Sequence, residues 1–225
     1  MTSKVLSILI LGGENSAEAY SGHSMRGGSR GYVPQLVGKL QQVGWQVHIE
    51  CHAPVDIRVA LQLLQRLNLN RFDLLLLELG HTRLQQPDRF NSSWFGKVAA
   101  LQLLASIGQI GLLRETEAQL ADLVYYLQPY RRRLVLLTPL PHPNPLTNWL
   151  RQKGQALFRQ YGRRHMIPVF DTTTVISQGE EFFVDAQLGQ LSPVAGDLLG
   201  QTLFEYIQTN ALLPARPELR QRRGY

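Results

Sequence analysis

The sequence predicts a single α/β domain built on a parallel β-sheet with helices on both faces. Short aliphatic runs alternate along the chain with longer segments in which apolar residues follow a helical spacing. The short runs are continuously apolar, which is typical of parallel strands that are buried on both faces. Strands that alternate with helices form βαβ units, and these units require a parallel sheet. Five strands are predicted, at residues 5–11, 45–49, 72–79, 133–138 and 167–170.

The predicted helices are marked by capping residues. Gly44 follows the first helix as a C-cap, and Asp56 precedes the second as an N-cap. Ser192 caps the last helix, and Pro193 occupies its first position, where a missing N–H costs nothing. Helices are predicted at residues 32–43, 57–67, 96–106, 115–127, 146–161 and 193–207.

Composition limits the class of protein. The 225 residues, 44% of them apolar, suit one globular domain, which we place at residues 1–211, followed by a basic tail at residues 212–225. No apolar run approaches the roughly 20 residues that span a bilayer. The amino terminus lacks the layout of a secretory signal, so we expect a cytoplasmic protein. Because Cys51 is the only cysteine, an internal disulfide and a multi-cysteine metal site are excluded.

The net charge of +6 comes mainly from arginine, concentrated at residues 131–133 and 163–164 and in the tail. We interpret these arginines as solvated helix ends and a frayed terminus, because no nucleic-acid motif accompanies them. Nucleic acid is therefore not the expected partner. Binding of nucleic acid or of an acidic partner through the tail stays open as an alternative reading.

Ligands of parallel sheets bind at the carboxyl ends of the strands, near the point where the strand order reverses. This rule selects five loops before any motif is considered. They begin at Gly12, Glu50, Gly80, Pro139 and Asp171.

Four segments, in order along residues 4–208, resemble the motif blocks of the SGNH (GDSL-type) hydrolase superfamily. Residues 11–14 (Leu-Gly-Gly-Glu) follow the first strand, where the family has Gly-Asp-Ser or Gly-Gly-Ser. Residues 31–36 resemble the start of its first helix, and residues 77–84 resemble its apolar strand that ends in Leu-Gly-x-Asn-Asp. Residues 185–196 combine an aspartate with Leu-Ser-Pro and a glycine, like the family's last block, Asp-x-x-His before the final helix.

The resemblance implies a flavodoxin-like three-layer αβα sandwich whose five-stranded parallel sheet has the order 2-1-3-4-5. It also implies the activity of esterases, lipases or carbohydrate deacetylases, with an acyl or carbohydrate ester as ligand and no cofactor.

The catalytic positions depart from the family pattern. By position, Glu14 replaces the serine nucleophile, Thr82 the oxyanion asparagine and Gln190 the histidine base, while Asp185 is the aspartate of the last block. Ala53 and Pro54 stand near the glycine whose N–H binds the oxyanion, and a proline has no N–H. Serine acyl transfer needs a hydroxyl, a base and oxyanion donors. We therefore predict that standard serine-esterase catalysis is lost and that the residual cleft binds a small ligand or a partner.

Two rearranged sites remain as alternatives. Ser16 lies two residues after Glu14 in a glycine-rich loop and is a candidate nucleophile, or else caps the following turn. In the family's strand order, Glu14, His52 and His81 come close together, with His142 near the same rim. They would act as an acid–base set, hold zinc or iron(II), or each bind backbone in its own loop. We also expect Gly13, Asn15 and Gly80 to line the cleft, whereas Phe90, Trp94 and Phe95 either line it or pack their loop down.

Overall fold

A computed structural model gives the fold, and it describes residues 5–17, 31–54, 56–80, 84, 109–185 and 189–214. Five parallel strands form one sheet with the order β2-β1-β3-β4-β5. The predicted flavodoxin-like sheet and its strand order are therefore confirmed. The strands are β1 (Val5–Leu11), β2 (Gln46–His52), β3 (Leu74–Glu78), β4 (Leu134–Leu137) and β5 (Val169–Phe170).

Strand β1 lies at the centre of the topology. It pairs with β2 over its full length, from Val5 opposite Gln46 to Leu11 opposite His52, and with β3 on its other side. The chain thus continues from β1 to one neighbour and later returns to the other, so the order reverses between β1 and β3. In open α/β sheets the ligand crevice lies at the carboxyl ends of strands flanking such a reversal.

The six α-helices of the described residues are labelled α1 to α6 in chain order. A single turn, α1 (Glu14–Ala17), follows β1 directly. The longer helices are α2 (Val33–Gln42), α3 (Ile57–Arg66), α4 (Gln109–Leu127), α5 (Pro145–His165) and α6 (Pro193–Thr209).

Both predicted N-caps are present. The Asp56 carboxylate accepts a hydrogen bond from the Val59 N–H at 2.8 Å, and the Ser192 hydroxyl accepts one from the Ala195 N–H at 3.3 Å. Each side chain satisfies a backbone donor that the first turn of a helix leaves without an intrahelical partner.

Two apolar cores lie on opposite faces of the sheet. On one face α2 and α6 cover the even-numbered residues of β1, which include Leu6, Ile8 and Ile10. On the other face α3, α4 and α5 cover Leu9 and Leu11. Because successive strand residues point to opposite faces, a side chain's parity along a strand decides which core it joins.

Several boundaries differ from the sequence prediction. Strand β5 begins at Val169 rather than at residue 167, because Pro168 has no N–H to donate to the ladder. Helix α4 begins six residues earlier than predicted, since Gly111 continues the helix and does not end it. Strand β2 continues through Glu50 and on to His52. Polar side chains are tolerated there because β2 is an edge strand of the sheet.

A two-stranded antiparallel hairpin was not predicted. It consists of β6 (Phe183–Asp185) and β7 (Gln190–Leu191), directly before α6. The predicted helix at 96–106 and the tail beyond Pro214 lie outside the described residues. None of the described helices is long and apolar enough to cross a membrane.

Candidate functional site at the carboxyl edge of the sheet

The turn after β1 and the loop before α6 meet at the carboxyl edge of the sheet, and Asn15 joins them. The Asn15 side-chain amide donates to the Gly189 carbonyl at 3.3 Å, and its side-chain oxygen accepts from the Leu191 N–H at 2.9 Å. These two hydrogen bonds hold the backbone on either side of Gln190. The segments that carry Glu14 and Gln190 are therefore neighbours in the fold. These are the two residues that we matched from sequence to the family's serine and histidine.

The backbone at residues 31 and 32 also approaches the turn that carries Asn15 and holds it in place. The Tyr32 N–H donates to the Asn15 carbonyl at 3.3 Å. Gly31, which precedes Tyr32, has φ of +97°, and a Cβ atom there would lie 2.0 Å from the Asn15 carbonyl oxygen. Only glycine allows this approach, because any side chain at residue 31 would displace the turn that carries Asn15.

Ser16 is fully buried beneath this turn and does not face a histidine among the described residues. Its hydroxyl donates to the Gly13 carbonyl at 3.0 Å, and it lies on the face of the sheet that α2 covers. Its neighbours are the Tyr32 hydroxyl and the Glu78 carboxylate, which are also buried. Ser16 and Glu78 occupy the space that a side chain at Gly12 would fill.

Among the described residues, the Tyr32 hydroxyl of this buried cluster has no hydrogen-bond partner of good geometry. Its surroundings nevertheless change its pKa. Burial and the adjacent Glu78 carboxylate raise the pKa of Tyr32 well above its ordinary value, so the phenol stays protonated. Burial and the same carboxylate also raise the pKa of Cys51 to about 11. Cys51 is therefore a thiol at neutral pH and a poor nucleophile.

Arg151 and Gln155, both buried on α5, support the proline-rich loop after β4. The Arg151 guanidinium donates to the carbonyls of Leu140 and Pro141 at 3.1 and 3.3 Å. The Gln155 amide donates to the Pro139 carbonyl at 2.8 Å. Burial lowers the pKa of Arg151 to about 10, although the charge of Glu78 opposes this shift, so the guanidinium remains charged at neutral pH.

His142, in that loop, packs against Gly189. The Asn144 N–H donates to His142 Nδ1 at 3.0 Å, so a neutral imidazole carries its proton on Nε2. Gly189 has φ of +67°, and a Cβ atom there would lie 2.9 Å from His142 Cδ2 and 3.2 Å from Nε2. His142 and Asn15 thus contact the loop before α6 at the same residue, Gly189.

His52, at the end of β2, turns to the opposite face of the sheet from Ser16. Its Nε2 lies 3.0 Å from a carboxylate oxygen of Glu50, which also pairs with Arg71. Its carbonyl accepts the Gly12 N–H at 3.0 Å. The described contacts of His52 therefore connect it to its own strand and to β1.

The other sequence-predicted positions are described in part. Asp185 and Gln190 pair across the hairpin, so the family's last block forms one unit. Gly80 follows β3 with φ of +93°. The Glu14 side chain and the residues His81, Thr82, Phe90, Trp94 and Phe95 lie outside the described residues, so their roles stay predictions. Among the residues that are described, no group of three or more His, Cys, Asp or Glu side chains is arranged to hold a metal ion.

Sequence reasoning missed the buried polar residues under the site, namely Tyr32, Glu78 and Arg151. One signal was present: Glu78 ends a strand that is otherwise four leucines, and a carboxylate in a buried strand needs polar surroundings. Which face Glu78 occupies followed only from the strand register.

The fold is that of known ester hydrolases. A psychrotrophic esterase from Pseudoalteromonas sp. is 17% identical, with a TM-score of 0.58 over 90% of this chain and 97% of the esterase. A lipase/acylhydrolase from Enterococcus faecalis is 16% identical, with a TM-score of 0.63 over 94% and 98% of the two chains. An acetylxylan esterase from Geobacillus stearothermophilus is 17% identical, with a TM-score of 0.61 over 94% and 97%.

Identities this low show a shared fold, and the chain has the α/β sandwich of the SGNH hydrolases. No protein-family model and no curated protein sequence matches the chain. Asn15, Asp185 and Gln190 lie in the turn after β1 and the hairpin before α6, and their match to the family's first and last motif blocks stays a prediction from the sequence.

Proposed function

We propose that this chain is an SGNH-fold protein that has lost serine-esterase catalysis and binds a small polar ligand or a partner in the residual cleft. The observation that carries the proposal is the placement of Ser16, the serine nearest to the end of β1. It is fully buried, and its hydroxyl already donates to the Gly13 carbonyl. A nucleophile must instead be exposed and hydrogen-bonded to a base.

The absence of a base in the last block supports the same conclusion. Gln190 takes the place of the histidine, and an amide does not accept a proton near neutral pH. His142 comes near the same loop, but in its neutral form Nδ1 accepts a hydrogen bond and Nε2 carries the proton. It therefore has no free lone pair and acts as a donor. In this arrangement His142 stabilises the loop or binds a ligand oxygen.

The elements around the proposed cleft are held together by direct contacts. Asn15 joins the turn after β1 to the hairpin before α6, and Gly31 allows the close approach of the backbone to Asn15. Polar groups converge there from three elements: the turn after β1, the loop after β4 and the hairpin. Such convergence is typical of a binding site for a small polar molecule.

The second candidate is an active ester hydrolase with a rearranged site, built on Glu14 with His52 and His81, or on Ser16. The observation that favours it is the similarity to solved structures named as esterases and lipases. Catalytic mutants of the acetylxylan esterase, with a serine or an aspartate replaced by alanine, are similar to the chain as well. In its Ser16 form this candidate differs from the first in that a serine of the chain is reactive, whereas in its Glu14 form the two differ only in turnover.

Labelling with a fluorophosphonate probe tests the Ser16 form, because the hydroxyl of an activated serine attacks phosphorus, expels fluoride and becomes phosphonylated, whereas an ordinary serine stays unmodified. The wild-type chain is expected to keep its unmodified mass, as is the Ser16→Ala variant. Stoichiometric labelling that disappears in Ser16→Ala would establish Ser16 as a nucleophile. A variant with Ser192→Ala, which removes a helix-capping serine, is the matched control.

A further inference from the structure

The amino-terminal edge of the sheet, opposite the candidate site, carries an arginine-rich surface. Three segments form it: residues 64–72 before β3, 125–133 before β4 and 161–168 before β5. Because the strands are parallel neighbours, their amino ends lie side by side. We call the surface formed by these three segments the basic edge.

Direct contacts join the three segments. The Arg133 guanidinium donates to the Phe72 carbonyl at 2.6 Å and to the Asn70 side chain at 3.1 Å. The Gln128 amide donates to the His165 carbonyl at 3.3 Å. The basic edge is therefore one continuous surface and not three separate clusters.

The three segments themselves contain only positive charge, and the acidic residues that adjoin them are Glu50, Asp73 and Glu117. The segments contain seven arginines and His165, with no aspartate or glutamate, so they carry more positive charge than the whole chain's net +6. The remainder of the molecule is consequently close to neutral. The arginines are Arg66, Arg71, Arg131, Arg132, Arg133, Arg163 and Arg164.

Four of these arginines are exposed without an acidic partner. Arg71 pairs with Glu50, and Arg133 is held by Asn70 and Phe72. Within the described parts of the chain, no carboxylate lies at salt-bridge distance from the remaining exposed members. These are Arg66, Arg132, Arg163 and Arg164.

Two apolar or amphipathic side chains project from the same edge. Met166 is 71% exposed, lies between the arginines of α5 and β5, and has φ of +54°, which is unusual for a residue other than glycine. Tyr125, near the end of α4, is 81% exposed. The Met166 thioether and the Tyr125 ring are apolar surfaces that water solvates poorly. Both are suited to the boundary between lipid headgroups and acyl chains.

We propose that the basic edge docks this protein on a membrane surface rich in anionic lipid, with Met166 and Tyr125 entering the headgroup region. The unpaired positive charge of the described arginines, together with the exposed methionine, favours one kind of partner over another. Phosphate groups of either lipid or nucleic acid attract arginine, but only the lipid surface offers an apolar medium to Met166. In this orientation the candidate site, at the opposite edge, faces away from the bilayer and stays accessible.

Co-sedimentation of the full chain with lipid vesicles tests the proposal. We expect binding to vesicles containing about 30% phosphatidylserine and none to pure phosphatidylcholine, because each basic residue near an anionic surface adds to the affinity. The triple variant Arg132→Gln, Arg163→Gln and Arg164→Gln is expected to bind on the order of 100-fold more weakly. Met166→Asn keeps a residue that tolerates positive φ, and is expected to weaken binding roughly tenfold by removing the apolar contact.

A charge-matched triple variant, Arg58→Gln, Arg114→Gln and Lys153→Gln, removes the same charge from other surfaces and is expected to bind like wild type. Thermal unfolding of each variant confirms that it is folded. The proposal is overturned if wild type ignores anionic vesicles or if the two triple variants lose binding equally. Retained binding by the basic-edge variant would assign the interaction to the arginine-rich tail. Tighter binding to RNA or DNA than to vesicles, without an effect of Met166→Asn, would identify nucleic acid as the partner.

Discussion

At the scale of single residues, a few buried polar side chains keep the geometry of the candidate site. Asn15 binds two backbone groups of a loop 174 and 176 residues away along the chain. Arg151 and Gln155 satisfy carbonyls of a loop whose prolines lack donors of their own. Since unsatisfied buried polar groups are costly, each of these side chains should matter more to stability than its exposed counterparts.

Asn15→Ala is expected to destabilise the protein by roughly 2–3 kcal/mol, because the variant leaves the Leu191 N–H and the Gly189 carbonyl without partners. The midpoint of urea unfolding measures the loss. The Leu191 amide should also exchange with solvent faster. Asn210→Ala is the control, since Asn210 is exposed and binds only the Tyr206 carbonyl. Equal destabilisation by the two substitutions would contradict the bridging role of Asn15.

Asp171, after β5, gives the stability a defined pH dependence. Burial alone would raise the pKa of Asp171, but hydrogen bonds from Arg159 and Thr173 outweigh burial and lower it. A carboxyl whose pKa is lower in the folded state stabilises the fold above its unfolded pKa of about 3.9. This stabilisation is lost as the pH falls through the folded-state pKa.

Asp171→Asn should therefore be less stable than wild type at pH 7, by about 2 kcal/mol. The difference should shrink as the pH falls below about 4, where wild type loses its own carboxylate. Thermal unfolding between pH 2 and pH 7 measures both effects. Asp197→Asn, at an exposed position of α6, is expected to track wild type throughout. A stability difference that stayed constant with pH would show that the charge of Asp171 is not responsible.

At the scale of elements, the hairpin before α6 is held between two others. Asn15 reaches it from the turn after β1, and His142 packs against it from the loop after β4. Gly189 is the point of contact, and its positive φ and lack of a side chain are both required there. A conformational requirement and a packing requirement thus coincide at one residue.

Substitution of Gly189 separates these two requirements. Gly189→Ala is expected to cost about 2–3 kcal/mol, from backbone strain at positive φ together with the contact with His142. Gly44→Ala is the matched control, because Gly44 has φ of +87° with open space around it and should show the strain alone. In a His142→Ala background the cost of Gly189→Ala should fall toward that of the control. Strictly additive effects in urea unfolding would argue against the contact.

The regular elements could be predicted from the sequence because their signals are local. Val5 to Leu11 is a continuous aliphatic run, and Asp56 and Ser192 are N-caps with mechanisms that act within one helical turn. The hairpin was missed because strands of three and two residues are too short to show a period. The buried cluster of Ser16, Tyr32 and Glu78 was also missed, because it joins residues from three elements, and strand register decides which face each occupies.

The sequence predicts only the position of the candidate site, and the contacts described at that position follow from the structure. Locating it at the carboxyl edge needed only the topology. Asp185 and Gln190, which the sequence analysis assigns to one motif block, pair with each other across the hairpin. The role of Asn15 could not be predicted, because an asparagine beside a turn usually binds its own backbone. The predicted proximity of Glu14, His52 and His81 stays a prediction, as does the metal alternative.

At the scale of the whole molecule, the two edges of the sheet carry different surfaces. The carboxyl edge carries the candidate site, and the amino edge carries arginines to which the described part of the chain offers no acidic partner, together with the exposed side chains Met166 and Tyr125. The fold separates them by the length of the strands, so that substitutions at one edge should leave the other unaffected. Variants of the basic edge are accordingly suited to testing docking without disturbing the cleft.

The central claim, that the fold is retained without serine-esterase chemistry, is tested most directly by steady-state hydrolysis of p-nitrophenyl acetate. Wild type and Ser16→Ala should both show only a slow rate that rises linearly with substrate and does not saturate, because Ser16, the described serine at the end of β1, is buried and bonded to the Gly13 carbonyl. Saturable turnover by wild type that Ser16→Ala abolishes would contradict the account and make this chain an active hydrolase.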